Sequence, residues 1–352
     1  MSERKKCSSC FMCEGFPGVV INDKGVCGPC GNLEQQVVDP MLTPKPALPE
    51  LRRIIDEKNG GRKRKYDCVI GASGGLDSSY VLLTAKKKLG LNPLVIHYDT
   101  GLNYEHAFSN LKRLCEKLDV EFRVISSRGN WDRKYVREVI NALKRVDAYW
   151  GVCTFCHHVL VDAVNRAAVN EKIPVILTSR NIYEEKLHLS ANFRLKHMVL
   201  AFFKRGIPVL PAMLIHLTRA GYFFLRLKME FSLPPVTNLF RRRPKYKGVS
   251  YVNVTEYVPW EIGRMIKELR EEVGWKVPEH PSLQMRFDCK IEDSFINHTY
   301  RQATGLTIHG IIASNLIACG VMKKEELTDA VKYYDDIIKE RKEEVLKILG
   351  RL

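Results

Sequence analysis

Acidic side chains are the scarce charge in this 352-residue chain: 40 Asp and Glu face 56 Lys and Arg, for a formal net charge of +16. That deficit disfavours cationic partners and favours polyanions, whose counterions are released on binding; RNA fits, and so does a small anionic substrate. No apolar run of membrane-spanning length is present. The nearest stretch, 198–227, is broken by Lys204, Arg205, Pro208, Pro211 and Arg219, so no transmembrane segment is expected. The first residues are polar and Cys-rich rather than apolar, so no secretory leader is expected and a cytoplasmic location is. No internal repeat is visible, which sets aside solenoids and propellers.

Cysteine is abundant instead. Of 11 cysteines, seven fall in close Cys-x-x-Cys steps, a pattern that in a cytosolic chain favours metal or cluster ligation over disulfides. Cys7-x2-Cys10, sixteen residues, then Cys27-x2-Cys30 has the spacing of a zinc ribbon over residues 1–35. Each pair occupies a tight turn, so its two thiolates can converge on one tetrahedral Zn2+. Cys13 is a fifth candidate ligand able to compete with Cys7. Redox-active thiols without metal are the alternative.

Beyond the ribbon, residues 36–65 form a Pro-rich linker with a short helix near 48–57 and a basic run, Arg62-Lys63-Arg64-Lys65. Residues 66–190 then alternate strands, at 66–70, 93–98, 121–126 and 174–178, with helices at 78–89, 104–118, 133–146 and 156–170. This alternation implies an α/β fold: a Rossmann-like parallel sheet with helices on both faces, an N-terminal zinc ribbon and a C-terminal helical region. Residues 191–250 are apolar and basic together, with Phe202, Phe203, Tyr222, Phe223 and Phe224 and an Arg241-Arg242-Arg243 cluster. They read as a basic aromatic helical insertion: an RNA surface, a helical core flanked by solvated charge, or a membrane-surface element. Residues 251–352 read as helices and end in a charged amphipathic helix from Lys324.

The first strand of this sheet runs into Ser73-Gly74-Gly75-Leu76-Asp77-Ser78 and then a helix. Glycines allow close backbone approach and positive φ, which an anion-binding nest of N–H groups needs. The helix start adds its positive end. Ser73, Ser78 and Ser79 offer hydroxyl donors, and Asp77 suits Mg2+ or an orienting role. The pattern resembles the PP-loop of the ATP pyrophosphatases, or adenine nucleotide alpha hydrolase-like superfamily, which includes GMP synthetase, tRNA-thiolating enzymes and N-acetyl sugar amidotransferases. The resemblance implies an ATP- and Mg2+-dependent enzyme that adenylates a substrate oxygen, releasing pyrophosphate, before a nitrogen or sulfur nucleophile displaces AMP. It implies ATP contacts at Ser73, Gly74, Gly75, Asp77, Ser78 and Ser79, at His97 and Asp99 after the second strand, and at Thr178 and Asn181 after a later one. There, Ser179 and Arg180 depart from the Gly-His-Asn stretch of relatives.

Two finer resemblances compete. Cys7 through Met12, Phe16-Pro17, Gly25 through Cys30, Tyr98 through Asn103, Gly274-Trp275 and 305–326 resemble N-acetyl sugar amidotransferases, which install an amidine with ammonia from glutaminase subunits; no glutaminase pattern is present in this chain. At the centre, Cys153-Thr154-Phe155-Cys156 before a helix and strand resembles the Cys-x-x-Cys of tRNA thiolases. There, two such cysteines and a later third hold a [4Fe-4S] cluster or carry persulfide, and a cluster held by three thiolates leaves one iron open. Cys289 is the third ligand by elimination, since Cys115 and Cys319 suit apolar helix positions and Cys68 the sheet core. A helix N-terminus favours the thiolate form at Cys153 and Cys156. A second zinc site with His157 or His158, or inert thiols, is the alternative.

The leading reading is therefore a sulfurtransferase acting on tRNA, with Asp77, Cys153, Cys156 and Cys289 as its catalytic residues. An N-acetyl sugar amidotransferase comes second, and a non-catalytic nucleotide-sensing RNA-binding protein third. Partners implied are tRNA, a sulfur donor or an ammonia-supplying subunit, and a second copy of the chain in a homodimer.

Overall fold

A strand buried on both faces needs a nearly continuous apolar run, which is how parallel sheets read in sequence. The computed structural model of the chain describes residues 4–31, 48–62, 64–144, 147–149, 151–180, 248–277 and 288–350, with isolated positions between 196 and 203. Asn181, Phe287 and nearly all of 191–247, with the Arg241-Arg242-Arg243 cluster, lie outside the described residues.

A single turn, α1 (Gly28–Gly31), carries Cys30, and α2 (Leu48–Asn59) precedes the sheet. The α/β core follows as β1 (Cys68–Gly71), α3 (Leu76–Leu83), β2 (Pro93–Tyr98), α4 (Glu105–Leu118), β3 (Glu121–Ile125), α5 (Trp131–Leu143), α6 (Gly151–Asn170) and β4 (Val175–Thr178). A wide π turn, Thr84–Lys88, extends α3. The strands lie in the order β3-β2-β1-β4-β5, all parallel, where β5 is Ser250–Asn253.

Side-chain alternation divides the sheet between two layers. Val69, Leu94, Ile96 and Ile176 pack with Val164, Ala167 and Ala168 of α6. Cys68, Ile70, Val95 and Leu177 belong to the larger core with Leu51 and Ile55 of α2 and Leu76 and Tyr80 of α3. Helices therefore cover both faces, as the alternating pattern implies, and Cys68 is fully buried in the sheet.

Two local readings are corrected. The first strand begins at Cys68 rather than at 66, and the Tyr66 hydroxyl instead reaches the Glu121 carboxylate. Residues 251–352, read as wholly helical, open with the last three residues of β5. This is a short edge strand with Tyr251 55% exposed, so it carries too little apolar pattern to stand out; its register with β4 defines it.

The remainder is helical among the described residues: α7 (Ile262–Val273), a π turn Glu292–Ile296 leading into α8 (Asn297–Thr304), α9 (Ile308–Ala318), α10 (Lys324–Asp336) and α11 (Ile338–Gly350). The amphipathic segment from Lys324 is thus two helices joined at Ile337. Inside this body Asn297 donates to His309 Nδ1 at 3.0 Å, and the His309 ring stacks on Tyr334 at 3.4 Å between centroids. The hydroxyl of Tyr104, from the loop after β2, donates to Asp293 Oδ2 at 2.8 Å and ties the helical body to the sheet.

The ribbon packs on the same body. Phe11 N donates to Ser314 Oγ at 3.2 Å, and Lys324 Nζ donates to Ser8 O at 2.9 Å. The two ends of the sequence are therefore one surface in space. No described helix is long and apolar enough to cross a membrane.

Candidate functional site

With β1 central, and β2 and β4 on its two sides, the chain changes direction across the sheet beside the C-terminal end of β1. In open parallel sheets ligands bind at that crevice. The Ser73–Ser78 turn occupies it. Gly74 has φ +90°, and a Cβ there would lie 1.9 Å from Ala107 O of α4, so glycine is required both by conformation and by the close approach of α4. Ser73 Oγ and Ser78 Oγ lie 3.4 Å apart, Ser73 N donates to Ser78 Oγ at 3.3 Å, and Gly75 N donates to Ser73 Oγ at 3.3 Å. Ser73, Asp77 and Ser78 are half-buried, whereas Ser79 is fully buried beneath the turn. The hydroxyls of Ser73 and Ser78 and the start of α3 are thus grouped on one turn, a donor set of the kind that can bind an anion.

Two tryptophans from the C-terminal half clamp this turn. Trp260 Nε1 donates to Asp77 Oδ1 at 2.9 Å, and Trp275 Nε1 donates to Gly74 O at 3.3 Å. Both rings are buried, and Trp260 packs edge-on against Tyr80 with centroids 5.4 Å apart. Trp260 was not singled out from sequence. Its only local mark is a position just ahead of α7, whose buried face includes Met265 and Leu269.

At the end of β2, His97 is buried; its Nδ1 lies 2.9 Å from Ala72 O and its Nε2 lies 3.2 Å from Asn103 Nδ2. Nδ1 donates and Nε2 accepts, so the ring braces the turn from beneath with both nitrogens engaged. Asp99 Oδ1 accepts from Gly101 N at 2.6 Å, and Asp99 Oδ2 lies 3.5 Å from Arg133 Nη2. Gly101 has φ +67°, a backbone conformation that favours glycine, and a Cβ there would have to displace the Arg133 guanidinium, 2.2 Å away. Thr178 ends β4, its hydroxyl 3.5 Å from Val252 O, and Arg180 N donates to Asn253 Oδ1 at 2.9 Å. Asn181 is outside the described residues.

Cys153 and Cys156 lie in the first two turns of α6, three residues apart and hence on one face. The segment ahead of that helix is pinned to the helical body. Asp147 receives hydrogen bonds from Gln302 Nε2 at 2.9 Å and Tyr149 OH at 3.1 Å and sits 2.9 Å from His298 Nε2. Burial works against the Asp147 carboxylate, but His298, Lys342 and Gln302 together hold its pKa well below the usual range.

Cys289 forms an isolated antiparallel bridge with Asn103, and Lys290 N donates to Leu102 O at 2.9 Å. The residues around Cys289 thereby lie along the loop after β2. All three cysteines are partly buried against the main core.

The helix start does not leave Cys156 as a thiolate. Burial first, and then the Asp132 carboxylate, push its thiol up to about 12, and burial raises Cys289 far above the ordinary thiol value. In this protein desolvation outweighs the helix dipole, because Cys156 lies a turn inside α6 rather than at its exposed tip. Among the described residues only Cys7, Cys10, Cys27 and Cys30 come together as a metal-ligating group; Cys153, Cys156 and Cys289 share a region of the core but are not gathered into such a group. His157 is exposed; the side chain of His158 lies outside the described residues.

The sulfurs of Cys7, Cys10, Cys27 and Cys30 all lie within 4.8 Å of one another, and all four residues are buried. Four thiolates at that spacing fit a tetrahedral metal ion. The hydrogen bond from Cys30 lowers Cys10 to about 5 against the opposing effect of burial. Burial pushes Cys27 up to about 11. Cys13 is no competitor for the site: its thiol donates to Thr304 O at 3.2 Å, beside Gly305 at φ +86°.

No known family profile matches the chain. It is 25% identical over 148 residues to the uncharacterized protein MJ1599 of Methanocaldococcus jannaschii, covering 40% of this chain. The chain thus spans about half the length, 49%, of the curated relative it matches. Among solved structures it overlaps the U34-tRNA thiolase NcsA of Methanococcus maripaludis with its [4Fe-4S] cluster, at 14% identity and a TM-score of 0.34, covering 92% of this chain and 91% of that one. The NMN synthetase of Francisella tularensis overlaps 53% of this chain and 96% of its own at 15% identity and a TM-score of 0.30. The NH3-dependent NAD synthetase of Campylobacter jejuni overlaps 66% of this chain and 96% of its own, also at 15% identity and 0.30. At such scores the fold rests on the sheet order and register described above.

Proposed function

We propose that this chain is a PP-loop ATP pyrophosphatase that adenylates its substrate and then transfers sulfur, with tRNA as the acceptor. The Ser73–Ser78 turn holds the triphosphate, Ser73 and Ser78 donating to it. Asp77, oriented by Trp260, faces the Mg2+ that accompanies ATP. A substrate oxygen attacks the α-phosphorus and pyrophosphate leaves; a sulfur nucleophile then displaces AMP. Cys153, Cys156 and Cys289 are the residues that would hold a [4Fe-4S] cluster, on drawing closer together than they stand here; when bound it would supply an open iron for sulfide. Cys7, Cys10, Cys27 and Cys30 would hold structural Zn2+.

The observation that carries the sulfur reading is the Cys289–Asn103 bridge. It brings a cysteine 133 residues beyond Cys156 alongside the loop that follows β2, which supports the reading, since sugar amidation has no task for a cysteine there. The test is the visible spectrum and the iron and sulfide content of protein purified without oxygen. Broad visible absorption with about four irons per chain supports the reading. Colourless, iron-free protein that still cleaves ATP removes it and moves nitrogen transfer to first place.

One observation favours that second reading, an amidotransferase acting on an N-acetyl sugar. The two sequence ends that resemble those enzymes are joined in space through Phe11–Ser314 and Lys324–Ser8. Release of AMP dependent on ammonia and an amide-bearing sugar would establish it.

A further inference from the structure

The segment that delivers Cys289 also delivers a carboxylate to the phosphate turn. A Cβ built on Gly75 would meet Asp288 Cγ and Oδ2 at 3.7 Å each. The Asp288 backbone is held to the loop after β2. Its carbonyl accepts from Tyr104 N at 3.3 Å, the next residue bridges to Asn103, and Lys290 N donates to Leu102 O at 2.9 Å. The turn itself is built to receive an anion: Gly74 at φ +90°, the Ser73 and Ser78 hydroxyls, and the start of α3. A carboxylate that close to the middle of that set is repelled by a bare triphosphate. It is attracted to one whose charge is bridged by a divalent cation.

We propose that Asp288 makes this site select the Mg2+ complex of a nucleoside triphosphate and reject the metal-free form. This inference rests on the reading of Ser73–Ser78 as the triphosphate site. Asp77 and Asp288 then have different tasks. Asp77 is engaged by Trp260 and is part of the turn, whereas Asp288 arrives on a separate segment and adds charge opposite the phosphates. Because Asp288 precedes Cys289, the residue that senses the metal complex is covalently next to a candidate sulfur-site cysteine.

The test uses the full chain and the non-cleavable α,β-methylene analogue of ATP, with equilibrium binding measured in excess Mg2+ and in buffer freed of divalent cations without a chelator, so that the ribbon keeps its metal. For the wild type the Mg2+ form is expected to bind at least about tenfold tighter, the scale of one close charge pair in a partly screened site. Asp288→Asn should narrow that ratio by about tenfold, with binding of the metal-free analogue improved, while Asp288→Glu, which keeps the charge, retains the wild-type ratio. Asp288→Ser replaces the Asn variant if circular dichroism shows the latter misfolded. A merely structural role would shift both arms alike. An unchanged ratio in the folded neutral variant overturns the inference and leaves the nucleotide site standing. Failure of the wild type to bind the analogue under either condition sinks both.

Discussion

The indole nitrogen of Trp260 donates to the Asp77 carboxylate at 2.9 Å across 183 residues of sequence. Trp275, fifteen residues later, does the same for Gly74 O at 3.3 Å. The segment around α7 is thus a back wall for the Ser73–Ser78 turn, and Trp260 helps set where Asp77 points.

Trp260→Phe keeps the buried ring and deletes the donor. A hydrogen bond to a charged group contributes about 1.5–3 kcal/mol, so ATP cleavage should fall by about ten- to a hundredfold, with a higher Mg2+ requirement. Steady-state kinetics against Mg2+ check this. A fall in Tm with an unchanged Mg2+ dependence would mean that the ring packs but does not orient.

Gly74→Ala places a methyl against Ala107 O in a backbone conformation unfavourable to alanine. Strain and overpacking together should cost about 2–5 kcal/mol. Gly129, at φ +64° with open space around its would-be Cβ, is the control; Gly129→Ala should cost only about 1–2 kcal/mol. Urea titration of the two variants compares them. Equal destabilisation would contradict the close approach of α4.

Asp147→Asn removes the charge that anchors the start of α6 to His298 and Lys342. The Asp147 carboxylate has its pKa depressed in the folded state, so its stabilisation is present above the ordinary carboxylate value, about 4, and is lost as pH falls below it. At pH 7 the variant should be less stable by about 1–3 kcal/mol, and the difference should shrink as pH is lowered through and below about 4. Denaturant unfolding at a series of pH values reads this directly. A pH-independent difference would deny the pairing.

Cys10→Ser should abolish binding of one metal ion per chain and lower the Tm of the whole protein, because the ribbon packs on α9 and α10 through Phe11 and Lys324. Elemental analysis and a thermal scan with and without chelator check this. Full zinc content in the variant would overturn the four-cysteine assignment.

The turn was legible in the sequence because its requirements are local. Gly74 answers a backbone conformation, and the strand before it is a buried apolar run. The cysteine ribbon was legible for the same reason, since Cys-x-x-Cys spacing alone brings two sulfurs together. Trp260, Trp275 and Asp288 were not legible as site residues, because each reaches the turn through packing of a segment far along the chain. The resemblance implies His97 as an ATP contact; what the pattern does not show is that its ring nitrogens lie within hydrogen-bond reach of Ala72 O and Asn103 Nδ2. The thiolate expected at Cys156 failed because a pattern shows the helix start and not the burial a turn later. The edge strand β5 was missed because half-exposed edges carry little apolar signal.

The central claim is that the Ser73–Ser78 turn directs cleavage of ATP between its α and β phosphates. Products of ATP labelled at the α-phosphate, incubated with the protein, Mg2+ and total tRNA, test it most directly. The account predicts labelled AMP and an equal amount of pyrophosphate, both lost in folded Ser78→Ala and Asp77→Ala. Release of ADP and phosphate instead, or AMP formation at the wild-type rate in either variant, would contradict it.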